Sequence, residues 1–365
     1  MVQIDDAWAP EKIREFVRKE LHIELLDYVR HGFNGEVYFA KRKKLNDEVV
    51  LKFYLSCEGY DASEEAVILK SIDHPNILKV YDLKFVPPEY ACFTSPKISG
   101  GDLQTHIQAE PFSSKDALAL VCQILGGVTE LHSKHSLVHR DLKPGNILLD
   151  FREQKAIIAD LGAVKKIWAA DGFVGASKAT RIYLPPESVN ENKYYFQSDL
   201  YQVGLIMFQL LGGFFPVSNE IEWLNDREKK KVAKIRNSIE KELEFDKLIN
   251  NKICKGRIAE TSSLPPFLDA SFRRVLNKAL HLDFKKRYQS SSEFLKDVHQ
   301  LDRQFPSYWQ REDHLLVVHD SGKQFKVWKG RKGQYIVEKR NGGDWRKDNN
   351  HTGSFESALL LARKK

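Results

Sequence analysis

Apolar residues in the first part of the chain gather in short runs closed by turn residues. Residues 23–30, 36–42 and 48–55 are short β-like runs rich in Val, Ile, Leu, Tyr and Phe, punctuated by Gly32, Gly35 and the Leu45-Asn46-Asp47 triplet. The pattern predicts three antiparallel strands in a meander. A short helix is predicted before them over residues 10–21, with Pro10 in its first turn. Another is predicted over 62–72, where Ala66, Ile68, Leu69 and Ile72 recur at helical spacing. His74-Pro75-Asn76 ends it, because the residue before a proline is pushed out of the helical region.

After Leu103 the period lengthens. Helices are predicted over 114–134, 199–211, 226–249, 271–282 and 291–301. The second is apolar nearly all round, which predicts burial. The third is dominated by charge and reads as a solvated surface helix. A β-rich part followed by a helical part predicts two lobes of an α+β protein. Strand patterns return at 315–319, 324–329 and 333–339, and a helix is predicted over 355–363.

Composition narrows the picture. A chain of 365 residues is long enough for two or three structural units. With 42% hydrophobic and 29% charged residues it is globular and not disordered. No apolar run reaches the ~18–20 residues of a membrane span, and Asp5, Asp6 and Glu11 stand where a secretory signal would need an apolar stretch. Cys57, Cys92, Cys122 and Cys254 are widely and irregularly spaced, which speaks against a disulfide framework or a cysteine metal site and fits a reducing cytoplasm. The net charge is +7, and it is uneven: residues 306–365 hold 13 Lys/Arg against 7 Asp/Glu, with three of the six tryptophans. That shift marks a boundary near Phe305-Pro306.

The candidate chemistry centres on His139-Arg140-Asp141-Leu142-Lys143-Pro144-Gly145-Asn146. This segment resembles the catalytic loop of eukaryotic-type (Hanks-type) Ser/Thr protein kinases at every fixed position. Other elements follow in the family's order: Val49-Val50-Leu51-Lys52, Asp160-Leu161-Gly162, and Pro185-Pro186-Glu187. The departures at Arg30, Leu161 and Pro185 suggest a divergent branch, bacterial in character. The resemblance runs from about residue 23 to 301. It implies a bilobal kinase-like fold: an N-terminal helical extension (1–22), a β-rich lobe with hinge (23–98), a helical lobe (99–305), and a small basic β-rich appendage (306–365).

The resemblance also implies roles. Asp141 would accept the proton of the attacking hydroxyl, and Asn146 and Asp160 would hold Mg²⁺, with Mn²⁺ as an alternative ion. Lys52 would contact the α- and β-phosphates of ATP and pair with Glu65; neighbouring Glu64 would point about 100° away around the helix. Of the glycine-rich loop, Gly32, Gly35 and Val37 remain, while Arg30 replaces the first glycine. Ser95 falls at the gatekeeper position, the backbone of Pro96, Lys97 and Ile98 would meet adenine, and Asp102 would reach the ribose. Val37, Val50 and Leu148 would sandwich the base. Lys143 with Thr180 is the Ser/Thr pattern, and Asp199, Glu187 and Arg287 are structural. Ser177 is the expected autophosphorylation site, because Arg140 beside the catalytic aspartate calls for a negative charge on the loop.

An ATP-dependent kinase of protein Ser/Thr hydroxyls, located in the cytoplasm and bound to no membrane, is the expectation. A small-molecule phosphotransferase and an inactive interaction module are the alternatives. Lys143 and Thr180 argue against the first, and the complete set Lys52, Glu65, Asp141, Asn146 and Asp160 against the second. The appendage is expected to brace the helical lobe, recruit a protein partner, or bind nucleic acid. For the last, Lys326, Lys329, Arg331, Lys332, Lys339 and Arg340 would share one side with Trp328, Tyr335 or Trp345.

Overall fold

Register decides which side chains of the first lobe meet a cleft and which meet a core. The structure is a computed structural model that describes residues 10–20, 22–31, 35–55, 69–86, 90–176, 180–217 and 219–364. Helix α1 (Glu11–Lys19) precedes five strands, β1 (Ile23–His31), β2 (Gly35–Arg42), β3 (Asp47–Leu55), β4 (Asp82–Val86) and β5 (Tyr90–Pro96). They form one antiparallel sheet in the order β1-β2-β3-β5-β4. Val37 lies opposite Lys52, and Phe39 opposite Val50. Opposed residues share a face, so these four point to the same side. The other face presents Tyr38, Ala40, Val49, Leu51 and Phe53, all buried with Ile13 and Val17 of α1. Phe16 of α1 meets Phe53 edge-on with ring centroids 5.8 Å apart. The helix therefore covers one face and leaves the other to the cleft.

The second lobe contains α2 (Leu103–Ala109), α3 (Ser114–Thr129), β6 (Leu137–Val138), β7 (Ile147–Asp150), β8 (Lys155–Ile158), β9 (Lys165–Lys166) and β10 (Val174–Gly175). It continues through α4 (Pro186–Glu191), β11 (Lys193–Tyr194), α5 (Phe196–Leu210), α6 (Asp226–Ala233), α7 (Ser238–Cys254), α8 (Ala270–Ala279) and α9 (Ser291–Gln304). As expected, α5 is buried all round. Two expectations change. The helix over 114–134 widens into a π-turn at Glu130–Lys134. The single helix over 226–249 is two, because Asn225 and Asn237 each start one. Asn225 forms a capping box with Glu228, and the Asn237 side chain accepts from the N–H groups of Ile239 and Glu240. Nor is this stretch wholly solvated: Ile249 and Ile253 of α7 are fully buried.

The lobes are tied close to the cleft. A Cβ on Gly127 of α3 would come within 2.9 Å of the Asn76 carbonyl oxygen, so only glycine lets the helix approach this segment. Asn76 Nδ2 donates to the Ala156 carbonyl (2.9 Å) and the Leu78 N–H to the Ile158 carbonyl (2.8 Å). Both acceptors belong to β8, the strand that delivers Asp160.

The last unit is an antiparallel sheet of β12 (Ser307–Gln310), β13 (Leu315–Val318), β14 (Gln324–Lys329), β15 (Tyr335–Arg340) and β16 (Arg346–Lys347), paired in sequence order, followed by α10 (Phe355–Arg363). Strands β12 and β16 are additions to the three expected. Ala358, Leu359 and Ala362 of α10 pack on one face, with Leu315, Val317, Phe325, Val327 and Val337, and this core is continuous with that of the helical lobe. The Tyr308 N–H donates to Ser114 Oγ (2.9 Å), Trp309 Nε1–H to the Pro111 carbonyl (3.1 Å), and Arg363 Nη2 to the Phe267 carbonyl (2.8 Å). The expected single basic side is corrected: the period of two turns Lys326 and Arg340 to one face and Lys339 to the other, where it pairs with Asp348 (2.8 Å). Tyr335 packs on Phe355 of the core side, centroids 5.1 Å apart. Among the described residues no helix is long and apolar enough to cross a membrane.

Candidate active site

The loop between β6 and β7 carries His139, Arg140 and Asp141, all buried. Arg140 sits at φ 71°, a left-handed conformation that a non-glycine residue holds only under constraint. Asp199, fully buried near the start of α5, supplies the constraint. Its Oδ2 accepts from the His139 N–H (2.8 Å) and its Oδ1 from the Arg140 N–H (3.0 Å). His132 Nε2 (2.8 Å) and the Tyr194 hydroxyl (2.6 Å) complete its shell. The His139 ring ties the loop to the next strand: Nδ1 accepts from the Asp141 N–H (3.3 Å) and Nε2–H donates to the Ala159 carbonyl (3.0 Å).

Burial works against ionisation of Asp199, but the bond and charge of His132, the nearby His139 and the Tyr194 hydroxyl outweigh it and hold the carboxyl below its ordinary range. A depressed folded-state pKa contributes stability above the unfolded value, and loses it as pH falls through the folded one. The stability gap between the native chain and Asp199→Asn should therefore be widest near neutrality and narrow as pH falls below about 4. Thermal midpoints of both proteins between neutral and acid pH check this, and a gap independent of pH would refute it.

Asp141 is held at its carboxylate. Oδ2 accepts from Lys143 Nζ (2.9 Å) and Asn146 Nδ2 (3.0 Å), and Oδ1 from the Thr180 N–H (3.4 Å). Lys143 Nζ also donates to Thr180 Oγ1 (2.7 Å), so one ammonium joins the catalytic loop to the segment after residue 179. Asn146 Nδ2 further donates to the Asp141 carbonyl (2.7 Å), which commits the amide nitrogen and leaves the amide oxygen for a ligand. The Ala159 N–H bonds the Asn146 carbonyl (2.8 Å), setting Asn146 beside Asp160. Asp160 is left-handed, φ 58°, and its Oδ1 lies 2.5 Å from Lys52 Nζ. A carboxylate and an amide oxygen are hard donors of the kind Mg²⁺ takes when phosphates and water complete its shell. The donor set fits that ion.

Val37 and Val50 line the cleft face of the sheet. Ser95 is buried opposite Val50, and Pro96 closes β5 opposite Val49. The Lys97 N–H bonds the Glu48 carbonyl (3.2 Å), and Ile98 follows half-buried. Asp102 bridges Leu148 through the backbone. Its side chain caps α2, taking the Thr105 N–H (2.9 Å) and hydroxyl (3.0 Å), so a ribose would share oxygens already engaged. Gly35 opens β2 opposite His31. Gly32, Glu65 and Ser177 lie outside the described residues.

The protein kinase domain family matches residues 24–299. The chain belongs to this family. It is 32% identical over 204 residues to calcium/calmodulin-dependent protein kinase type 1B of Rattus norvegicus and, equally, of Homo sapiens, covering 54% of this chain and 58% of each relative. It is 34% identical over 214 residues to myosin light chain kinase A of Dictyostelium discoideum, covering 56% of this chain and 68% of that one. The match thus spans less than two thirds of the mammalian relatives' length.

Within this kinase domain the segment from Thr180 to Glu187 is anchored from below. Arg287 and Glu187 form a buried two-pronged pair, Nη1 to Oε1 at 2.8 Å and Nη2 to Oε2 at 2.7 Å. Arg287 Nε donates to the His281 carbonyl (2.6 Å) and Ser198 Oγ to Glu187 Oε1 (2.5 Å). His132, Tyr194 and Gln202 are brace residues that sequence reasoning missed. Gln202 Oε1 accepts from the Leu142 N–H (2.8 Å). Its signal was available: an amide three residues after Asp199 on a largely apolar helix shares that face.

Proposed function

We propose that the chain is a protein Ser/Thr kinase that transfers the γ-phosphoryl group of Mg-ATP to hydroxyls of protein substrates, itself included. The observation that carries this reading is the ammonium of Lys143 between Asp141 Oδ2 (2.9 Å) and Thr180 Oγ1 (2.7 Å). It holds the base and the substrate-side wall in one geometry, so an incoming hydroxyl is placed with its proton on Asp141. Asp141 takes that proton as the hydroxyl oxygen bonds to phosphorus and the bond to the bridging oxygen of ADP breaks. Lys52 would hold the non-reacting phosphates, while Asp160 and Asn146 would hold the metal. When bound, Mg²⁺ offsets the charge on the transferring phosphoryl group.

Incubation with labelled Mg-ATP, a mixed protein substrate and a panel of small alcohols and amino sugars tests the reading. Label on protein Ser or Thr is expected. Label confined to small acceptors, or nucleotide binding with no transfer, would refute it.

A further inference from the structure

The open face of the C-terminal sheet brings indole rings and cations together. Register aligns Trp309, Leu316, Lys326, Glu338 and Lys347 in one cross-strand row, with Gln324 and Arg340 beside it and Trp328 opposite Ile336. Helix α10 packs on the other face with the core residues, so nothing of the appendage's own core covers this one. Trp345, from the turn between β15 and β16, folds onto it: Lys326 Nζ lies 4.4 Å and the Arg340 guanidinium 4.5 Å from its ring centroid. Trp328 and Trp345 stay partly exposed. Among the described residues Lys326, Arg340 and Lys347 form no ion pair with a carboxylate, whereas Lys339 on the opposite face is neutralised by Asp348. The turn at the end of β14 adds exposed Arg331 and Lys332.

We infer that this face binds single-stranded nucleic acid, a function separate from phosphotransfer. Three cations outside any ion pair, with Glu338 the one carboxylate in their row, on a unit of net charge +6, suit a polyanion. The tryptophans decide which one. Planar indoles on a flat sheet take unpaired bases by stacking, and a duplex hides its base faces. An acidic peptide would use the charges and gain nothing from the ring planes. Lys326, Arg340 and Lys347 contact phosphates; Trp328 and Trp345 receive bases.

The test measures anisotropy of labelled oligothymidylate and oligouridylate with the full chain. A duplex of equal length and poly-glutamate as competitor accompany them. With three phosphates neutralised, affinity should fall roughly twenty-fold between about 50 and about 200 mM salt. Lys326→Glu with Arg340→Glu should weaken binding at least roughly ten-fold. Trp328→Ala should weaken it about ten-fold at unchanged salt dependence. Thermal midpoints confirm that these surface variants fold, and Lys347→Glu serves as a further charge variant if the double one does not. No binding at about 50 mM salt, binding indifferent to these substitutions, equal affinity for duplex, or competition by poly-glutamate as strong as by oligonucleotide would each overturn the proposal.

Discussion

Replacing Asp141 by asparagine is expected to lower phosphotransfer to below about 1% of the native rate, since general-base assistance is worth about 10²–10⁴. The fold should survive: the asparagine oxygen can still accept from Lys143, and the loop remains held through backbone groups by Asp199. Asp160→Asn should lose activity to a similar extent, but for a different reason. It removes the carboxylate that faces Lys52 and would hold the proposed metal, so Mg-ATP should also bind more weakly. Turnover and nucleotide affinity measured on both variants separate the two roles. An Asp141 variant that keeps more than a few per cent of native turnover would show that the base is assigned wrongly.

The second large effect is on stability. Glu187→Ala strips the buried guanidinium of Arg287, whose side chain is 0% exposed, of its carboxylate. An uncompensated buried charge costs about 3–5 kcal/mol. The segment from Thr180 to Glu187 would lose its floor with it, so activity should fall as well. Arg287→Met should be comparably harmful, while Glu187→Leu combined with Arg287→Met should recover much of the loss, because apolar replacement of a whole buried pair is often neutral. Urea unfolding of the two single variants and the double one reads this directly. Single variants within about 1 kcal/mol of the native protein would contradict the bracing role.

What the sequence made legible follows from how local each feature is. Asp141, Lys143 and Asn146 lie within one short loop, so the motif that carries the family resemblance could be read whole, and with it the implied roles of proton acceptor, positioning cation and metal ligand. The first three strands were legible because each is a short apolar-rich run closed by turn residues. Strands β4 and β5 were not: with Ala91 and Cys92 both buried, β5 breaks the period of two. The split between α6 and α7 was hidden because the charge pattern runs through it and only the N-cap at Asn237 marks where the second helix starts. His132 was missed because its partner Asp199 is 67 residues away and the π-turn that precedes β6 leaves no periodic mark. The grouping of Lys339 with Arg340 ignored strand parity, which places neighbours on opposite faces.

The most direct test of the central claim is phosphoamino-acid analysis of a degenerate peptide library phosphorylated by the full chain with labelled Mg-ATP. Native protein and the Asp141→Asn variant are run side by side. Label on phosphoserine and phosphothreonine is expected with the native protein and almost none with the variant. Label chiefly on phosphotyrosine, or equal labelling by both proteins, would contradict that claim.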